Sequence, residues 1–284
     1  LRASLFLQLT NTYSRTNPDS AIYYGDKTLE MARNIDNKRI IVSVLGFIGD
    51  AYHSNGNLPK GLEVCLEAMA LNEEIPDSKI NYAGPALSTL GDIYNDIGNY
   101  KQALSMFNKL TFAATTNSNA SQAFGHYGRA SVYEKMNLLD SALYELEQSK
   151  IFFSKIGEEV DAGLYPKVYP VTPTWFILRS KVYSKQGKFN LALQDLNDIL
   201  ILTLKNDQPY YSSNSYNEMA GLYATQNLSD STIFFAQKGL EEAERISYIG
   251  GMLAASAILA EQFDSLNDTK ALYYLKLANR LREQ

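Results

Sequence analysis

The sequence predicts an all-α chain, a right-handed α-solenoid of about seven antiparallel helix pairs stacked into one superhelix. Three observations predict it. A phrase recurs five times in register: a small residue, two variable positions, an aromatic and, nine residues later, another small residue. The aromatics of those copies, and of two looser copies flanking them, repeat at about forty residues. Between the copies apolar residues keep helical spacing instead of giving way to Gly, Pro and Ser.

The copies run in order along the chain. The first is loose, YSRTNPDSA, with only eight residues from Tyr13 to Ala21. The second is GDAYHSNGNLPKG, holding Gly49, Tyr52, Gly56 and Gly61, and the third is GDIYNDIGNYKQA, holding Gly91, Tyr94, Gly98 and Ala103. ASVYEKMNLLDSA supplies Ala130, Tyr133 and Ala142, SKVYSKQGKFNLA supplies Tyr183, Gly187 and Ala192, and AGLYATQNLSDST supplies Ala220, Tyr223 and Thr232. The seventh, FDSLNDTKA, is again shortened, from Phe263 to Ala271. Successive aromatics stand 39, 42, 39, 50, 40 and 40 residues apart.

Each position has a physical reason. A small residue on each of two crossing helices lets their axes approach, so Gly91 and Ala103 are expected to face each other with Tyr94 filling the space beside them. Gly56, Gly98 and Gly187 fall where the first helix ends and the backbone takes a positive φ; Asn137 and Asn227 hold the same slot, and Asn tolerates that conformation next best. In NPDSAIYY, LLDSALYE and LSDSTIFF, an Asp or Ser is expected to cap the second helix. A period near forty residues calls for long helices or long linkers, and the amphipathic intervals favour helices.

The interval from Tyr133 to Tyr183 is ten residues longer than its neighbours, and GEEVDAGLYPKVYPVTPT within it carries Pro166, Pro170 and Pro173. A loop is expected at roughly 157–172, inside a single domain spanning 1–284. It reads either as a tolerated insertion or as a segment that closes over a ligand or contacts a partner.

Composition excludes several classes. Hydrophobic residues make up 45% and charged residues 20%, enough to bury a continuous core. The net charge of −5, with no basic run, argues against nucleic acid. One cysteine, Cys65, makes no internal disulfide and reads as a core residue. His53 and His126 belong to no metal or nucleophile–base motif, no phosphate loop follows a strand, and no catalytic residue, metal or cofactor is expected. No apolar run reaches the ~20 residues a membrane helix needs. The chain starts at Leu1 without Met and stops inside KLANRLREQ, so we expect a fragment of a longer protein, its targeting peptide removed.

The third copy carries a family resemblance. In YAGPALSTLGDIYNDIGNYKQALSMFNKL, the residues Leu87, Leu90, Gly91, Tyr94, Gly98, Tyr100, Ala103 and Phe107 match the offsets of the tetratricopeptide repeat, which the chain resembles throughout apart from its longer period. The resemblance implies a concave face lined by first helices that binds a peptide or protein. Counting one and four residues after, and three before, the small residue of each first helix nominates Asn11, Asp50, His53, Ser88, Asp92, Asn95, Tyr127, Ser131, Glu134, Lys181, Ser184, Asn217 and Glu261. Lys185 joins them one turn from Lys181, so the face is expected to be acidic in the second and third repeats and basic in the fifth. The Lys and Asn clamp of the family's chaperone-binding members is absent in phase.

DSAIYYGDKTLEMARNI, DSALYELEQSKIFF and TKALYYLKLANRLREQ look like the N-terminal sensor regions of two-component histidine kinases and related regulators of Bacteroidetes-type bacteria. That resemblance implies an extracytoplasmic, periplasmic input module with no kinase motif of its own. Its only membrane contact would be a downstream segment, and a homodimer would form through the parent protein. The alternative is a stand-alone cytoplasmic scaffold or peptide-binding regulator.

Overall fold

The computed structural model describes residues 2–75, 82–112, 118–161, 171–264 and 268–282, and every regular element among them is an α-helix. The helices are α1 (Arg2–Tyr13), α2 (Pro18–Asn34), α3 (Lys38–Ser54), α4 (Leu58–Glu73), α5 (Gly84–Asp96), α6 (Tyr100–Phe112) and α7 (Asn119–Lys135). They continue with α8 (Leu139–Asp161), α9 (Val171–Lys185), α10 (Phe189–Lys205), α11 (Pro209–Ala224), α12 (Ser229–Arg245), α13 (Ile249–Asp264) and α14 (Asp268–Arg282). Odd helices are the first and even helices the second of seven pairs. The contacts group them into two compact units, Leu1–Val168 with α1–α8 and Tyr169–Gln284 with α9–α14. In each unit a second helix packs on its own first helix and on the first helix that follows, the contact order of a solenoid.

The turn inside five of the pairs is set by backbone chemistry. Gly56, Gly98 and Gly187 have φ of 79°, 77° and 73°, and Asn137 and Asn227 have 60° and 56°. That left-handed residue lets the next N–H reach back to the signature tyrosine's carbonyl: Asn57 N to Tyr52 O is 2.8 Å, Asn99 N to Tyr94 O 2.8 Å, Leu138 N to Tyr133 O 2.8 Å and Lys188 N to Tyr183 O 2.9 Å. This is the Schellman closure, which satisfies carbonyls that the helix end leaves open. The same left-handed step ends α2, α10 and α12 at Asp36, Asp207 and Ser247, where the sequence carried no glycine to announce it.

Capping differs from expectation. Asn17, Asn37 and Asn57 cap α2, α3 and α4 by accepting from the backbone N–H three residues on. Asp19, Asp140 and Asp230 instead stand second in their helices, where a carboxylate favours the positive end of the helix dipole.

Packing at the third pair adds a contact beside the expected one. Ala103 is fully buried, but Gly91 does not face it most closely: a Cβ on Gly91 would lie 2.5 Å from the ring of Phe107, one turn further along α6. The same ring occupies the space a Cβ on Gly128 of α7 would need. Phe107 is thus a knob between two first helices, each made flat by glycine, and its size is the reason both glycines are there. In the second pair the expected arrangement does occur, with Gly49 and Gly61 in close approach.

Cores follow from these contacts. Leu29, Ile48, Cys65 and Leu90 belong to one buried cluster, and Leu87, Phe107, Leu110 and Val132 to another. In the second unit Leu196 clusters with Met219, and Ala236 with Leu259 and Phe263. Burial raises the Cys65 thiol to about 12, so this sulfur acts as packing. Signature aromatics stack on aromatics of their second helices, Tyr13 on Tyr24, Tyr223 on Phe235 and Phe263 on Tyr274, which accounts for part of the tyrosine excess.

The segment expected as a loop, 157–172, is helical at both of its ends. Helix α8 runs to Asp161 and α9 starts at Val171; residues 162–170, with Pro166 and Pro170, lie outside the described residues. Pro173 sits in the first turn of α9, where a missing N–H removes no intrahelical bond. The long period resides in helices such as α2, α3 and α12, each of 17 residues.

Candidate binding face on the first helices

Within the first unit α1, α3, α5 and α7 adjoin in order, as α9, α11 and α13 do in the second. Residues four and five positions past each small residue stand in the last turn of a first helix, so stacking brings successive last turns side by side. Together with the residues one position past the small one, their side chains form a polar ladder across four helices. Arg15, just after α1, places Nε 3.2 Å from Asp50 Oδ2 and Nη2 3.3 Å from Asp92 Oδ2. Ser14 donates to the same Asp50 oxygen at 2.7 Å. His53 Nε2 lies 2.8 Å from Asp96 Oδ2, and Lys135 of α7 reaches Asp96 Oδ1 at 2.7 Å. Asn95 Nδ2 donates to Ser131 Oγ at 3.1 Å.

Protonation follows the geometry. Burial pushes Asp50 upward, but the Arg15 charge and the hydrogen bonds from Ser14 and Arg15 outweigh it and hold the carboxyl below its ordinary value. Asp92, which shares the same arginine, moves the other way: burial and the neighbouring carboxylates of Asp50 and Asp96 prevail over Arg15 and His53. Burial works against Asp96 too, yet hydrogen bonds from His53 and Lys135 hold it at about 2. His53 is raised above 6.5, since its bond to Asp96 and the charges of Asp92 and Asp50 together overcome burial.

These shifts define a window. Asp96 is depressed, so its pairing stabilises the fold above its ordinary 3.8 and is lost as pH falls toward 2. His53 is raised, so its contribution is complete below 6.5 and fades as pH rises through the folded value. We expect the melting-temperature difference between wild type and Asp96→Asn to be largest between the two values. Thermal unfolding across pH checks it; a difference that keeps growing above neutrality would contradict the His53–Asp96 pair.

The ladder gathers Asp50, His53, Asp92, Asn95 and Ser131 of the nominated residues. Asp50, Asn95, Glu134 and, in the second unit, Asn217 are buried rather than presented; Asn217 Nδ2 donates to Gly251 O at 3.0 Å, tying α11 to α13. Ser88, Tyr127, Lys181 and Ser184 are half-buried, while Asn11, Lys185 and Glu261 are exposed. Lys181 pairs with Glu218 at 2.8 Å. The expected acidic and basic stretches are therefore largely matched internally, by opposite charges on neighbouring helices.

Sequence reasoning missed Arg15, Asp96 and Lys135. All three stand five positions past the small residue, one beyond the last position counted, and a register one residue wider finds them. It also missed the buried set on α6–α8: Arg129 donates to Thr111 Oγ1 at 2.8 Å and to Glu145 Oε2 at 2.9 Å, with His126 Nδ1 2.7 Å from that carboxylate. Among the described residues no group of three or more His, Cys, Asp or Glu is arranged to hold a metal, and no helix is long and apolar enough to cross a membrane.

The family model of the tetratricopeptide repeat matches residues 41–111, which span α4 and α5 with most of α3 and α6. No curated protein matches the chain. Among solved structures, the apo form of RapI is similar with a TM-score of 0.65 at 14% identity, over 100% of this chain and 98% of that one. Aspartyl phosphate phosphatase F from Bacillus subtilis gives 0.62 at 13% identity, over 99% of this chain and 71% of that one. At such identities the likeness is one of fold.

Proposed function

Because this chain carries tetratricopeptide repeats, and folds as such arrays do, we propose that it is a non-catalytic protein-binding module whose ligand is an extended polypeptide lying across the first helices of its first unit. The polar ladder carries the reading. Its outer members remain accessible, Asp96 at 44% and Lys135 at 36% side-chain exposure. Exposed ion pairs contribute only ~0.2–1 kcal/mol, so a ligand can exchange its own charges for them at small cost. A carboxylate of the ligand meets Arg15 or Lys135, an ammonium meets Asp92 or Asp96, and orientation follows from the asymmetry. The buried Arg129–Glu145 pair offers no such exchange.

A peptide array followed by anisotropy titration of the best binder tests this. Asp96→Asn combined with Lys135→Gln should weaken binding by about tenfold, with marked salt dependence. Unchanged affinity would remove the ladder from the binding site.

The finer role we favour is the extracytoplasmic input of a membrane-anchored signal-transduction protein such as a histidine kinase. Its support is the resemblance carried by DSAIYY, DSALYE and TKALYY. A second reading, a stand-alone cytoplasmic peptide-binding regulator or scaffold, draws on the likeness to RapI over 98% of that chain. Protease added to cells whose outer membrane has been permeabilised and whose inner membrane is intact separates them: digestion of the tagged chain supports the input module, and protection supports the cytoplasmic reading.

A further inference from the structure

Asp50 of α3 and Asp92 of α5 hold the same place in successive first helices, one residue past the small one. Their carboxylates converge on one cation, Arg15, which the turn after α1 supplies. The carboxylates lie deeper than the group that joins them: side-chain exposure is 10% for Asp50 and 23% for Asp92, against 38% for Arg15. The acids are the floor of the arrangement and the guanidinium is its cover.

That cover is held loosely by this protein's own standard. Arg179 meets Asp195 through two bonds of 2.8 and 2.6 Å to the two oxygens of one carboxylate, the fork geometry that makes such pairs strong. Arg15 divides itself instead, with Nε 3.2 Å from Asp50 and Nη2 3.3 Å from Asp92. Both distances exceed the roughly 2.7–2.9 Å of a strong charge-assisted bond.

Acceptors are also left over. Among the described residues, Asp50 Oδ1 is buried and accepts no hydrogen bond, and neither does Asn95 Oδ1, one turn beyond Asp92 on α5. A buried acceptor left open marks a place where a donor is missing. Asp92 agrees with this: burial and the neighbouring carboxylates of Asp50 and Asp96 hold it above its ordinary value although Arg15 is in place. The floor is still short of positive charge. What it accepts is already on view, since Arg15 is itself a long basic side chain.

We propose that Arg15 is an internal stand-in for a basic side chain of the ligand, covering Asp50 and Asp92 in the unliganded chain and yielding them to an arginine or lysine of the bound polypeptide. This rests on the reading that the ladder binds a polypeptide, and it adds the class of residue that the ligand must carry. Arg15 and the ligand compete for the same two carboxylates. The apparent affinity is therefore the intrinsic one reduced by the fraction of chains in which Arg15 has let go.

N-acetylarginine amide, a single basic side chain, is the probe, titrated against the whole isotope-labelled chain by NMR. Arg15→Gln should raise its affinity about tenfold, and adding Asp92→Asn should remove the gain. N-acetylglutamine amide should bind neither chain. In the wild type, saturation should carry the Arg15 Nε–H resonance to the position of a free arginine, a readout that stands even where Arg15→Gln fails to fold. An affinity that Arg15→Gln lowers or leaves alone overturns the proposal, as does an Arg15 resonance that stays in place while the probe binds. No saturation of either chain up to about 10 mM overturns it too. The polypeptide reading fails separately, when Asp96→Asn with Lys135→Gln leaves the array peptide's affinity unchanged. With that loss intact, an array peptide weakened by Arg15→Gln as well would make Arg15 part of the grip and sink the stand-in alone.

Discussion

Phe107→Ala should destabilise the first unit by ~3–5 kcal/mol, the range for removing a fully buried aromatic. Phe107 is 1% exposed and its ring fills the space left by Gly91 on α5 and Gly128 on α7. Those glycines have no side chains with which to close a cavity, so the site collapses poorly and the cost falls toward the upper end. The reciprocal change, Gly128→Leu, drives a side chain into the same ring and should cost ~1–3 kcal/mol. Denaturant unfolding followed by circular dichroism measures both. A Phe107→Ala loss below about 1 kcal/mol would mean that the ring is not the knob described.

Glu145→Ala should have the second largest effect, also ~3–5 kcal/mol, because it strands a buried cation. Arg129 is 6% and Glu145 9% exposed, and the guanidinium also donates to Asn108 Oδ1 at 3.3 Å and to Thr111 Oγ1 at 2.8 Å. Burial opposes ionisation of Glu145, yet the hydrogen bonds from His126 and Arg129 hold it below its ordinary value. Removing both charges with Arg129→Leu and Glu145→Leu should cost less than Glu145→Ala alone, since no unpaired charge is left inside. A double variant as damaged as the single one would show that Arg129 matters for its neutral partners instead.

The helix pairs, their number and the turn inside five of them were legible because single residues carry them. A left-handed turn needs Gly or Asn, and Gly56, Gly98, Asn137, Gly187 and Asn227 announce it one residue at a time. Asp36, Asp207 and Ser247 make the same turn with residues that say little about it, so the turns between pairs were less visible. The proline-rich interval misled in part, since Pro173 is compatible with a first helical turn.

For the binding face, periodicity named the helix side that Asp50, His53, Asp92 and Asn95 occupy, because side-chain direction on a helix follows from position. Their partners were beyond its reach. Arg15 joins carboxylates 35 and 77 residues away, and Lys135 reaches Asp96 across 39. Which cation meets which carboxylate depends on how closely α1, α3, α5 and α7 stack. That spacing is set by the fit of Phe107 between two glycines and by every similar contact along the stack. Backbone conformation is a property of one residue and its neighbours, and so it is written locally. Charge pairing and exposure are properties of surfaces that exist only after the helices have packed.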